Sequence, residues 1–155
     1  MQMMASQFGG GAQLQDIYKF DIINCNFENN LAGGLGGGIA VFNFTVGQII
    51  SSNFTNNQVS YSGGAIQLFD GEVFKIYDCN FDDNGGNAQT GGAIQTYEVN
   101  HISILDSIFQ YNFCANSGGG IYIKYASEIF VERSTFYNNT AHNETLLQKQ
   151  FYHVQ

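Results

Sequence analysis

A chain of 155 residues is long enough for one domain with a real core and too short for two. Its 19 Gly, 14 Phe and 9 Tyr, with no Pro and no Trp, favour strands and turns over helices. The net charge of -8 disfavours nucleic acid and anionic lipid as partners, and no apolar run is long enough to predict membrane insertion.

Residues 1–8 read as a lead-in without the basic and apolar segments of a secretion leader. A first unit then opens at Gly9-Gly10-Gly11-Ala12. Ala12 and Leu14 alternate as one strand, Phe20 and Ile22 as a second, and a third short strand is expected to end at Phe27 with Cys25 facing the same way. Asn30 closes the unit at a predicted turn. The order then recurs. Glycine pairs return at Gly36, Gly63, Gly91 and Gly118, at steps of 27, 27, 28 and 27 residues. A Phe-x-x-Asn motif keeps the same beat: Phe27 and Asn30, Phe54 and Asn57, Phe81 and Asn84, Phe109 and Asn112, Phe136 and Asn139.

Three short strands per unit cannot close a core alone, whereas stacked units can. The pattern predicts an all-β fold, a single-stranded parallel β-helix of about five coils, with equivalent residues about 4.8 Å apart and a stack roughly 24 Å tall. Glycine is required where the chain turns with positive φ or where a Cβ would foul the next coil. Asparagine is expected to tolerate a similar corner and to bond its backbone. The repeat covers residues 9–140. Residues 141–155 break it and are expected to form a cap or extension, with a short helix over 144–150.

"GGAI" at 63–66 and 91–94, with "FENN" at 27–30, "FTNN" at 54–57, "FDDN" at 81–84, "FQYN" at 109–112 and "FYNN" at 136–139, resembles the repeats of chlamydial polymorphic outer membrane proteins. The resemblance implies a right-handed, pectin-lyase-like β-helix of the autotransporter passenger type, displayed on a cell surface and used in adhesion. Gly38 and Gly120 depart from the GGAI alanine, and no translocator barrel is present in the sequence. Richness in Asn, Tyr, Phe and Ile with a single Arg looks like the product of an AT-rich genome such as a protist's.

The same scaffold hosts polysaccharide hydrolases and lyases, whose chemistry needs a pair of carboxylates. Asp82 and Asp83, with Asp78 nearby, are the best candidates; a solvated turn is the plainer reading, and no catalytic site is assigned. Asp78, Asp106 and Arg133 occupy equivalent positions, which predicts an ion pair between Asp106 and Arg133. His101, His142 and His153 lack metal-binding spacing, and no metal or cofactor is expected. Cys25 and Cys79 share a column two coils apart, too far for a disulfide, and are expected to be free and buried; Cys114 is the candidate reactive thiol. Sequons at Asn43, Asn53, Asn138 and Asn143 are glycosylation candidates. Regular outward Thr ladders of the kind that bind ice are absent from the sequence.

These features predict a noncatalytic extracellular or surface scaffold of the adhesion type. Its partners would be other protein chains, further coils of a longer solenoid, or glycans. The alternatives are a carbohydrate-active or carbohydrate-binding β-helix, and an intracellular subunit of a large complex.

Overall fold

The structure is a computed structural model that describes residues 4–5 and 7–142; the helix expected over 144–150, His153 and the Asn143 sequon lie outside those residues. Every regular element among them is a strand, and every strand pair is parallel. The units superimpose as expected. Ile22, Ile49, Ile76, Ile104 and Val131 pair in register, and so do Phe27, Phe54, Phe81, Phe109 and Phe136. The result is a solenoid of about five turns.

Within a coil the strands differ from the sequence expectation. The first two merge into one long ladder of Ala12–Ile23, Ile39–Ile50, Ile66–Tyr77 and Ile94–Leu105, divided only in the last coil into Ile121–Lys124 and Glu128–Glu132. Asp16, Asn43, Asp70, Glu98 and Tyr125 bend this ladder, each with φ between 52° and 59°. One left-handed residue shifts the inward phase, so that the inward residue after Leu14 is Ile17. The third strand, in contrast, centres on its phenylalanine instead of ending there, as in Asn53–Thr55 and Asn80–Asp82.

Two further columns of left-handed residues turn the chain: Asn24, Ser51, Asp78, Asp106 and Arg133 before the short strand, and Asn29, Asn56, Asp83, Tyr111 and Asn138 after it. The corner after the short strand is therefore held by the residue preceding the asparagine of Phe-x-x-Asn, not by that asparagine. Asn and Asp are the non-glycine residues that best tolerate this backbone, which accounts for much of their abundance. Glycine holds the fourth corner. Gly63 has φ 67°, while a Cβ on its neighbour Gly64 would lie 1.9 Å from the Gly92 carbonyl oxygen of the next coil. The two glycines serve the two separate purposes expected of the pair.

The freed asparagines do different work. Asn57 donates its backbone N–H and its Nδ2 to Asn84 Oδ1, both at 3.0 Å, and Nδ2 also donates to the Phe27 carbonyl at 2.8 Å. Asn84 repeats the pattern toward Asn112 and Phe54, and Asn112 toward Asn139 and Phe81. This buried ladder satisfies backbone groups that the corner leaves unpaired. Beside it the five phenylalanines stack with centroids 4.5–4.9 Å apart and planes within 6°. The Cys/Ser column precedes the short strand and also bonds along the stack, with Cys25 N donating to Ser52 Oγ and Cys79 N to Ser107 Oγ, each at 3.1 Å.

The 28-residue step has a local cause. Val59 registers with Gly86, but Ser62 registers with Thr90, so the extra residue lies in the turn between Gly86 and Thr90. There the minor sheet of Met4–Ala5, Leu31–Ala32, Gln58–Val59 and Gly85–Gly86 stops, and Phe113–Cys114 pairs only with Thr140–Ala141. Ala88 fills the break, joining Ala32, Val59 and Cys114 in a small second core.

Candidate interaction surfaces

The acids singled out from the sequence fall at three different places on the coil. Asp78 holds the corner before the short strand and accepts a 2.8 Å hydrogen bond from Ser51 Oγ. Asp82 lies on the short strand, in register with Thr55 and Gln110. Asp83 holds the corner after it. A shallow groove does run along this sheet, but Asn26, Phe27, Glu28, Asn53, Thr55 and Asn80 line it and none of the three acids does. The groove's polar wall is itself a ladder, with Asn53 Nδ2 donating to Asn26 Oδ1 at 2.9 Å.

The expected ion pair forms. Arg133 Nε donates to Asp106 Oδ1 at 2.6 Å and its Nη2 to Oδ2 at 2.8 Å, a two-pronged contact between adjacent coils, while Nη1 turns to Glu132. Hydrogen bonding to Arg133, more than its charge, holds the Asp106 carboxyl below the usual carboxylate range, and the same contact raises the guanidinium. Lys19, 3.0 Å from Asp21, lowers that carboxyl in the same way.

His101 lies within 3.7 Å of Glu72 and 3.8 Å of Glu128, and His142 packs edge-on against Phe113. Among the described residues no three His, Cys, Asp or Glu side chains converge as metal ligands. All three cysteines are free. Cys25, expected to be buried, is only half-buried because it belongs to the outermost coil. Cys114, expected to be the reactive thiol, is fully buried in the second core, and desolvation pushes its thiol pKa up, as it does for Cys79. Asn43 is exposed at a bend and donates to Asp16 Oδ1; Asn53 faces the groove; Asn138 is exposed at a corner.

One surface went unread in the sequence. Phe42, Phe69, Tyr97 and Lys124 pair in register on the outer side of the long sheet. Phe69 and Tyr97 stack at 4.9 Å, Phe8 closes edge-on against Phe42, and Lys124 Nζ sits 5.3 Å from the Tyr97 ring centre and 4.9 Å from that of Tyr125. Asp70 and Glu98 border this stripe as exposed corner residues. The signal was present in the alternation, since Phe42 and Phe69 lie one residue beyond the inward Val41 and Leu68.

Parallel coils, columns of like residues and left-handed corners define a β-helical repeat protein. The chain matches the family described as a right-handed β-helix region over residues 5–148 and belongs to it. Comparison with curated proteins and with solved structures finds no match.

Proposed function

We propose that this chain is a noncatalytic β-helical scaffold of the adhesion type, acting outside the cell or on its surface through contacts with other proteins. The observation that carries this reading is the aromatic stripe of Phe42, Phe69 and Tyr97, an apolar surface on the outside of a sheet whose inside already has a complete core. The repeated polar residues point the same way. The asparagine ladder and the Asp106–Arg133 pair use their polar atoms to join one coil to the next. Replacing Phe69 and Tyr97 by Ser abolishes binding to the partner surface under this reading and leaves the fold intact, as read by circular dichroism. Retained binding rejects the stripe as the contact.

A second reading, a carbohydrate-active or carbohydrate-binding β-helix, draws on the polar groove of Asn26, Glu28, Asn53, Thr55 and Asn80. Assays of polysaccharide binding and cleavage on the wild type and on the groove variant Glu28→Gln, Asn53→Ala, Asn80→Ala separate the two. Wild-type turnover that the groove variant loses replaces the scaffold reading. Mass spectrometry of the native protein for glycans at Asn43, Asn53, Asn138 and Asn143 tests the extracellular location against an intracellular subunit.

A further inference from the structure

Resting on the scaffold reading, we propose that the aromatic stripe takes a cationic partner: a protein segment that carries lysine or arginine beside aliphatic side chains. The two borders of the stripe differ. On one side Gln67 and Gln95 are neutral and already engaged, accepting from Ser62 Oγ and Thr90 Oγ1. On the other side stand Asp70 and Glu98, equivalent left-handed corner residues on adjacent coils, each directly following a stripe residue, Phe69 and Tyr97. Both acids are exposed, and among the described residues their carboxylates accept no hydrogen bond and join no ion pair. Asp16, in the same column, is better served, because Asn43 turns its amide to Asp16 Oδ1 at 2.7 Å and not to Asp70. Two like charges thus stand side by side at the rim of an apolar surface with nothing to neutralise them. That repulsion is relieved by a partner's cation.

The stripe itself shows how a cation is received. Lys124 occupies the rung after Tyr97, with Nζ 5.3 Å from the centre of that ring. Phe69, on the rung before, stacks on Tyr97 at 4.9 Å with the planes within 6°. Both faces of Tyr97 are therefore taken. A sugar packs its C–H groups against an aromatic face and meets only ring edges here, whereas aliphatic side chains pack against edges equally well. Phe69, at 39% exposed, supplies the open apolar surface for them. The net charge of -8 adds long-range attraction for a basic segment and repels an acidic one.

The test is isothermal titration of the full chain with three probes: a short synthetic peptide alternating lysine and leucine, its glutamate and leucine counterpart, and a cello-oligosaccharide. The lysine peptide is expected to bind and to lose affinity as salt rises. Asp70→Asn with Glu98→Gln weakens it about fivefold and flattens the salt dependence, while Phe69→Ser with Tyr97→Ser weakens it about tenfold or more. Asp82→Asn with Asp83→Asn makes the same change of charge at the short strand and leaves the affinity within about twofold. No binding of the lysine peptide, indifference to the loss of Asp70 and Glu98, equal effects from the two acidic pairs, or an oligosaccharide held by Phe69 and Tyr97 overturns the proposal. A glutamate peptide that binds through Phe69 and Tyr97 as tightly removes the cationic partner alone and leaves the scaffold reading standing. Polysaccharide turnover that the groove variant loses removes both.

Discussion

The Phe20 ring occupies the space that a side chain at Gly47 would need: a Cβ built there lies 2.3 Å from the ring. The two residues are equivalent positions on adjacent coils, so one supplies the bulk and the other the room. Gly71 does the same for Phe44, at 2.2 Å. Phe44 then meets Phe20 and Phe74 across columns, with centroids 5.4 and 6.4 Å away, while Phe20 and Phe74 reach each other over Gly47 within one column at 6.4 Å. Gly47→Ala is expected to destabilise the protein by about 1–3 kcal/mol through overpacking. Combining it with Phe20→Leu recovers part of that loss in urea unfolding; a strictly additive double variant contradicts the contact.

Thr96 stands in the inward column of Leu14, Val41, Leu68 and Ile123, and its hydroxyl is buried without a hydrogen-bond partner. Thr96→Val keeps the shape and removes the unpaired group, so the variant is expected to be more stable by about 1 kcal/mol. A lower melting temperature than the wild type would count against this account.

Asn84 sits inside its ladder and Asn30 at the end. Asn84→Ala strips the acceptor from Asn57 and removes the donor to Phe54 and Asn112, leaving several buried groups unpaired. A loss of about 2–4 kcal/mol is expected, each orphaned buried group costing roughly 1–3. Asn30→Ala, at the half-exposed end, should cost visibly less. Equal losses in denaturant titration would mean that the ladder's depth is irrelevant.

The carboxyl of Asp106 titrates below its ordinary value because Arg133 binds the charged form. Its contribution to stability is therefore present above the unfolded carboxylate value of about 4 and disappears as pH falls through the lower folded value. Asp106→Asn should lower the urea midpoint by a constant amount from neutral pH down to about 5, the gap to wild type closing in acid below about 4. A gap that widens with acidification would reverse the sign and refute the assignment.

Alkylation of the native protein should label Cys25 first, with Cys79 and Cys114 protected by burial and by their raised pKa values. Peptide mapping after brief iodoacetamide treatment reads the order. Early labelling of Cys114 would place it outside the second core.

How far each feature could be read depends on the direction in which its contacts run. The period, the columns of Ile and Phe, and the partnership of Asp106 with Arg133 all lie along the stack, where one residue meets its own equivalent one repeat away. Those contacts are written into the sequence as spacing. The left-handed corner before each ladder asparagine was misplaced by one residue, because Asn suits either position by its local chemistry and only the ladder shows which one is buried.

By itself the sequence determined that five units superimpose and which residues face inward in most columns, since units of nearly constant length keep every column in register and alternation divides inside from outside; the column of Ile17, Phe44 and Val99 escaped it because the left-handed bend before each shifts the alternation. Only the tertiary structure decided what crosses between columns: the edge-on meeting of Phe20 with Phe44, the burial of Cys114 beside Ala88, and the separation of Asp78 from the groove. Those contacts depend on how the coil bends around its own interior, and that path is set by packing in the plane of the coil, a direction for which the repeat carries no period.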